Sequence, residues 1–264
     1  MSALPTAARA APALVPLPWD TAHFGFPVAR LTAACYDLEA ARAALKLARK
    51  NGVGLVYWQT EAGEAVPEAL LAEFAGRRVD QKATFQADLS IPEPTRAADG
   101  VAGVCVREYP EGPASPVLRE LALAAGMYSR FRTDPGVPEE KFVGLYTTWI
   151  ERSARRELAD VVLVAEDAGD GQLLGMVTVA AEGGTAEIGL VAVAADARGR
   201  GIGRLLLAAA RRWMTGHGCS RAEVVTQLAN VAACRLYERC GYQLIDVRDF
   251  HHFWPQRAAG ADGD

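Results

Sequence analysis

The amino-acid sequence predicts an α/β (α+β) protein built on a mixed, mostly antiparallel sheet, with a small α/β lobe ahead of a larger domain. Three observations carry this. Three apolar β-type runs, VVLVAED (161–167), LLGMVTVAAE (173–182) and TAEIGLVAV (185–193), follow one another with only Gly and Asp turn signals between them, the pattern of a hairpin-linked meander. The period then changes to a helical one at a glycine-rich segment, RGRGIGRLLLAAARRWMTGHG. Half of the 264 residues are hydrophobic, enough for a sizeable core.

The elements follow in order. Residues 1–16, Ala- and Pro-rich, are expected to be a flexible N-terminus, and 17–90 a small α/β lobe. Within it PVARLTAACY reads as a strand, and DLEAARAALKLARKNG as a helix stopped at Asn51-Gly52. VGLVYWQT is a strand, VPEALLAEFAGR a helix with Pro67 in its first turn, and KATFQADL another strand. Pro, Ala, Gly and charge concentrate over 91–103, the expected linker to a domain over 104–255. There VCVREYP is a strand, SPVLRELALAAGMYSRF a helix, and PEEKFVGLYTTWIERSARREL a longer helix with Phe142, Leu145, Tyr146 and Trp149 on one core-facing stripe. After the meander and the glycine-rich loop with its helix come a strand, AEVVTQL, a short capped helix, NVAACRLYERCGY, and a last strand, LIDVRDFHHFW. Residues 256–264 are expected to be a disordered tail.

Composition excludes several functions. The 28 Lys and Arg against 32 Asp and Glu give a formal charge of -4, with no overall attraction to nucleic acid or an anionic membrane. The five cysteines, Cys35, Cys105, Cys219, Cys234 and Cys240, contain no Cys-x-x-Cys pair and read as reduced core residues of a cytoplasmic protein. No segment has the apolar length of a signal peptide core or a membrane span. His251 and His252 point to opposite faces of a strand, so no metal site is expected.

The residues Arg198, Gly199, Arg200, Gly201, Ile202, Gly203 and Arg204 lie between an apolar strand and a helix, where backbone amides at a helix start can face an anion. A tight turn opening a helix is the alternative reading. A P-loop is excluded because no Gly-Lys-Ser/Thr follows, and a Rossmann turn because an antiparallel meander precedes.

Read on through Asn230, Ala233, Tyr237, Gly241 and Tyr242, the segment resembles the cofactor-binding core of the GNAT N-acetyltransferases, whose signature is Arg/Gln-x-x-Gly-x-Gly/Ala followed by Asn-x-x-Ala-x-x-x-Tyr-x-x-x-Gly-Phe/Tyr. Ala195 departs from the Pro of many members. Over residues 17–254 the chain further resembles bacterial acetyltransferases of TDP-linked amino deoxysugars, through WDTAHFGF, SRFRTDP, YTTWI and TQLANVAA.

The resemblance implies a sheet whose central strands splay apart, with acetyl-CoA held between them by main-chain groups of Val191, Ala192 and Val193 and its pyrophosphate on residues 198–204. It implies an amine acceptor, a nucleotide sugar, that attacks the thioester directly, an amide such as that of Val193 stabilising the oxyanion. Asn230 caps a helix and Tyr237 protonates the departing thiolate; an ordinary core pair of Tyr237 with Ala233 is the alternative. Arg130 and Arg132 suit a diphosphate, with Gln227 and Thr226 as further acceptor contacts, and a solvated surface loop is the alternative. Asp80, Glu182, Glu187 and His23 are unranked candidates for the general base. A homodimer is one candidate assembly. Rival functions are acetylation of a protein N-terminus, an amino acid or another small amine, and a non-catalytic acetyl-CoA sensor.

Overall fold

The computed structural model describes residues 13–32, 37–91 and 100–257. The strands are β1 (Leu14–Pro16), β2 (Val28–Leu31), β3 (Leu55–Glu61), β4 (Gly76–Asp88), β5 (Val104–Glu108), β6 (Val161–Asp167), β7 (Leu173–Glu182), β8 (Thr185–Val193), β9 (Arg221–Gln227) and β10 (Gln243–Phe253). The helices are α1 (Pro18–Phe24), α2 (Leu38–Lys50), α3 (Glu68–Glu73), α4 (Pro116–Ala125), α5 (Arg130–Thr133), α6 (Glu139–Ala154), α7 (Ile202–Gly216) and α8 (Val231–Arg239). The described residues divide into two compact units, those up to Val79 with those from Arg248 onward, and those between Asp80 and Val247. These divisions differ from the 17–90 and 104–255 read in the sequence. The segment from Arg248 joins the N-terminal unit because it pairs antiparallel with β3, from Arg248 opposite Glu61 to Phe253 opposite Val56. Most of the expected linker, and the tail from 258, lie outside the described residues.

In the first unit β1 pairs antiparallel with β2, and β2 parallel with β3. Leu14–Pro16, expected to be flexible, therefore form a strand, fixed by Leu14 opposite Leu31. Helix α1 was not foreseen; Pro18 starts it and Gly25, at φ +81°, closes it in a conformation that only glycine adopts readily. Asp37 caps α2 through Ala40 N–H, and Leu45 and Ala48 of α2 pack with Leu31, Trp58, Phe74 and Phe253.

In the second unit the strand order is β4-β9-β8-β7-β6-β5, antiparallel throughout except for the parallel pair β8–β9. The meander expected over 161–193 is β6, β7 and β8. One face packs on α7 and α8 through Ile202, Leu206, Leu207, Tyr237 and the inward residues of the strands. The other carries α4 and α6, with Leu118, Leu121, Phe142, Tyr146 and Ile150 against Val162, Val164 and Met176. Each fully buried Leu or Ile contributes about 1.5–3 kcal/mol.

The helix expected over SPVLRELALAAGMYSRF is divided. It stops at Gly126, where a Cβ would lie 2.4 Å from Tyr146 Cζ, and restarts as the single turn α5 after Ser129. Likewise α6 ends at Ala154, and Arg156 stands at φ +59°.

Candidate active site

The site begins with a defect in β8. Val179 stands opposite Ile188 and Val177 opposite Val191, so Gly189 and Leu190 together face the single residue Thr178. Leu190 N–H donates to Thr178 Oγ1 at 2.8 Å in place of a main-chain partner. An extra residue in a strand reverses which side chains face which way. Before the bulge Ala186 and Ile188 join the core under α7 and α8; beyond it Leu190 and Ala192 join the core under α4 and α6, and Val191 and Val193 pack toward α7.

The second feature is a gap. Parallel pairing of β8 with β9 runs from Thr185–Arg221 to Ile188–Val224 and ends there, although both strands continue. Beyond the bulge, Ala194 N–H donates to Leu174 O at 2.8 Å, which fixes the alternation of the ladder: Ala192 and Ala194 bond toward β7, so the N–H groups of Val191 and Val193 point into the gap. Val193 O accepts from Arg198 Nε at 3.2 Å. The splayed strands are thus present, and their open edge carries main-chain donors.

At the end of the gap Ala195 begins the single 3-10 turn Ala195–Ala197, so the turn forms without the proline many GNAT members have. Gly199 and Gly201 follow at φ +78° and +88°, and Gly201 is the N-cap of the 15-residue helix α7. Ile202, Gly203 and Arg204 precede the first internal bond of that helix, Leu205 N–H to Gly201 O, so their N–H groups face outward. A Cβ on Gly199 would meet nothing within 4 Å, and one on Gly203 would press on Leu236 Cδ2 at 3.1 Å. The loop is open on its outer side and tight against α8 on its inner side. Arg198 and Arg200 are exposed and Arg204 is half-buried. An anionic diphosphate fits here: outward amides, the positive end of α7, three guanidinium groups and no side chain in the way.

Helix α8 is capped by Asn230, whose Oδ1 accepts from Ala233 N–H at 3.2 Å, and closed at Gly241, φ +84°, with Tyr242 N–H donating to Tyr237 O at 3.0 Å. Tyr237 is buried, its ring 5.7 Å from Phe85 and 6.0 Å from Tyr242. Burial raises its phenol pKa, with Cys234 and Cys240 adding to the effect, so it stays protonated at neutral pH.

On the opposite face of the sheet a second group assembles. The Asp80 carboxylate is half-buried and hydrogen-bonded by the Gln227 side chain, with Arg130 and Lys82 nearby; burial raises its pKa to about 6 against the pull of those three. Tyr146 lies beside it, its phenol pKa raised by burial while Ser129 and Arg130 act the other way. Arg130 also stacks on Phe131, at 4.4 Å from the ring centroid. Of the two arginines in SRFR, only Arg130 reaches Asp80. Arg132 is ion-paired with Glu139 and lies 5.6 Å over the Phe142 ring.

The other candidate bases are elsewhere. Glu187 stands opposite Glu223 in the part of β8–β9 that is still paired, and Glu182 at the β7–β8 turn. Both line a cleft of about 570 Å³ with Asp160 and Glu223, and Glu187 also lines a smaller one of about 250 Å³ with Trp149 and Gly189. His23, in the other unit, stacks on Trp19 at 5.2 Å. The bulge and the closeness of Tyr146 to Asp80 were missed in the sequence. The signal for the bulge was Gly189, an isolated glycine inside a strand.

The family model described as the acetyltransferase (GNAT) family matches residues 125–242. The chain carries a GNAT acetyltransferase domain. The match runs from the end of α4 through the bulge, the gap, the glycine loop and α8, so all of these belong to the GNAT domain. The dTDP-fucosamine acetyltransferase of Escherichia coli O6:H1 is 34% identical over 127 residues, 48% of this chain and 53% of that one. The chain therefore matches about half the length of this curated relative. A GCN5-related N-acetyltransferase from Sphaerobacter thermophilus superposes with a TM-score of 0.57 at 17% identity, over 88% of this chain and 74% of that one. A functionally unknown conserved protein from Staphylococcus epidermidis gives 0.61 at 15% identity, over 94% and 93%. At such identities these two establish the fold around the GNAT domain. Among the described residues no helix is long and apolar enough to cross a membrane, and no group of His, Cys, Asp and Glu is gathered for a metal.

Proposed function

We propose that the chain is an N-acetyltransferase that moves acetyl from acetyl-CoA to the amino group of a nucleotide-linked amino deoxysugar by direct attack. The observation that carries the reading is the gap between β8 and β9, with the N–H groups of Val191 and Val193 facing it and the N-terminus of α7 at its end.

In this reading the main chain of Val191, Ala192 and Val193 holds the pantetheine arm, and residues 198–204 hold the pyrophosphate. Acetyl-CoA supplies an activated acetyl group as a thioester. The Val193 N–H, fixed in the strand before any ligand arrives, stabilises negative charge developing on the thioester oxygen. Tyr237, kept protonated by its burial, gives its proton to the departing sulfur. Asn230 orients Tyr237 by capping the helix that bears it. Arg130 and Gln227 contact the acceptor, and Arg132 contributes from the rim of the same turn.

The sugar nucleotide as acceptor is suggested by the E. coli relative, whose name states that it acts on dTDP-fucosamine. Release of free CoA thiol, measured against TDP-linked amino sugars, free amino sugars, amino acids and peptides, tests the proposal. Turnover is expected to be fastest with a TDP-linked amino sugar. Fastest turnover with a peptide or amino acid would replace the acceptor, and acetyl-CoA binding with no turnover on any amine would make the protein a sensor.

A further inference from the structure

We infer that Asp80 takes the proton from the acceptor amine, and that the acceptor reaches the gap from the face of the sheet that carries α5 and α6. This rests on the transfer reading above and adds a residue and a direction to it.

The placement follows from strand parity. In β4, Ala83, Phe85 and Ala87 point into the core under α7 and α8, so Asp80, Lys82 and Thr84 point to the other face. In β9, Ala222 and Val224 point into the same core, so Gln227 points away from it. Lys82 stands opposite Gln227, and the Gln227 side chain hydrogen-bonds the Asp80 carboxylate at the strand end. Pairing with β8 ends at Val224, so Gln227 lies on the open part of β9, and Asp80 is held by a side chain that borders the gap. Tyr237 belongs to the core on the opposite face. A group bound in the gap thus has an acid on one face and a carboxylate on the other, and an amine can attack from the carboxylate face without passing the acid.

The charged and titratable groups facing Asp80 are Lys82 on its own strand, Arg130 on α5 and Tyr146 on α6. The two cations favour the carboxylate form, and burial favours the neutral form and wins, leaving the pKa at about 6. Such a carboxylate is ionised at neutral pH and is a better proton acceptor than one in the ordinary range. Glu182 lies at the β7–β8 turn, and Glu187, one residue before the pairing ends, stands opposite Glu223 and not beside Gln227.

The step balances. An ammonium proton passes to Asp80 and on to solvent, and the freed lone pair forms the C–N bond to the thioester carbon. The C–S bond breaks and the sulfur takes the Tyr237 proton. The second proton lost by nitrogen as the amide forms restores the Tyr237 phenol. One ammonium and one thioester give one amide, one thiol and one proton.

The test is the pH profile of kcat/KM, with the best acceptor of the amine panel, for the full chain and for Asp80→Asn, Asp80→Glu and Glu187→Gln, with acetyl-CoA affinity measured by calorimetry. The unmodified protein is expected to gain activity as pH rises through about 6, because the base acts above its pKa. Asp80→Asn should lose that limb and fall by about 100-fold or more while binding acetyl-CoA normally, and Asp80→Glu should restore the limb. A retained rate and limb in Asp80→Asn, or loss of the limb in Glu187→Gln instead, overturns the inference alone. Failure of the unmodified protein to acetylate any amine overturns the transfer reading itself, and is seen without any variant.

Discussion

Tyr237 and Asp80 lie on opposite faces of one sheet, Tyr237 in the core under α7 and α8 and Asp80 beside Arg130 of α5 and Tyr146 of α6. Between them β8 and β9 part after Ile188 and Val224. Elsewhere in the described sheet of this unit, ladder hydrogen bonds close the space between neighbouring strands. In the proposed reaction the gap is where groups from both faces act on one bound molecule.

Tyr237→Phe removes the hydroxyl and keeps the ring that packs on Phe85 and Tyr242. Turnover should fall about 100-fold or more, with acetyl-CoA affinity and melting temperature nearly unchanged. Steady-state kinetics under conditions where chemistry limits the rate, together with calorimetry, check this. Unchanged turnover would return Tyr237 to the role of a core residue.

The glycine loop needs a test other than a glycine substitution, because Gly199 and Gly201 are both left-handed and any side chain there strains the backbone. Arg200→Glu avoids the problem. A carboxylate near the start of α7 favours the helix dipole, so thermal stability should hold or rise slightly. Acetyl-CoA affinity should weaken by roughly tenfold at low salt, and the difference should shrink as salt is added. Equal affinity at low salt would remove the pyrophosphate from this loop.

Arg130→Ala and Arg132→Ala should differ. Arg130 lowers the pKa of Asp80, so its removal should move the acidic limb of kcat/KM to higher pH and weaken the acceptor more than acetyl-CoA. Arg132, paired with Glu139, should leave the limb in place. Identical profiles for the two variants would separate Arg130 from the site.

The glycine loop and the capped helix α8 were legible because they are local. Gly199 through Arg204, and Asn230 through Tyr242, are short segments in which spacing alone sets a loop and a capped helix. The group around Asp80 was not, because Asp80 gains its environment from α5, α6 and β9, which only the fold brings together. Arg130 and Arg132 look equivalent as text, and the restart of the helix after Ser129 sends them to different partners. The strand β1 and the helix α1 were missed because elements of three and seven residues carry too little periodicity. The C-terminal half of β10 could not be assigned to the N-terminal unit from sequence, since the pairing with β3 joins distant segments.

His251 gives a pH dependence of stability apart from activity. It is buried, which lowers its pKa from 6.5 to about 4, with Asp249 opposing and Arg78 and His252 adding to the shift. The unfolded chain binds a proton below about pH 6.5, and the folded chain only near pH 4. Stability should therefore fall as pH is lowered across that window, by about 3 kcal/mol in all. Urea midpoints near neutral pH and near the lower end of the window should differ less for His251→Gln than for the unmodified chain.

The most direct test of the central claim is the change in backbone amide chemical shifts when acetyl-CoA is added to isotope-labelled protein. The account predicts the largest changes at Val191, Val193 and residues 199–204, the donors that face the gap and the start of α7. Shifts confined to the cleft around Asp160, Glu182 and Glu187, or no shifts at saturating acetyl-CoA, would contradict it.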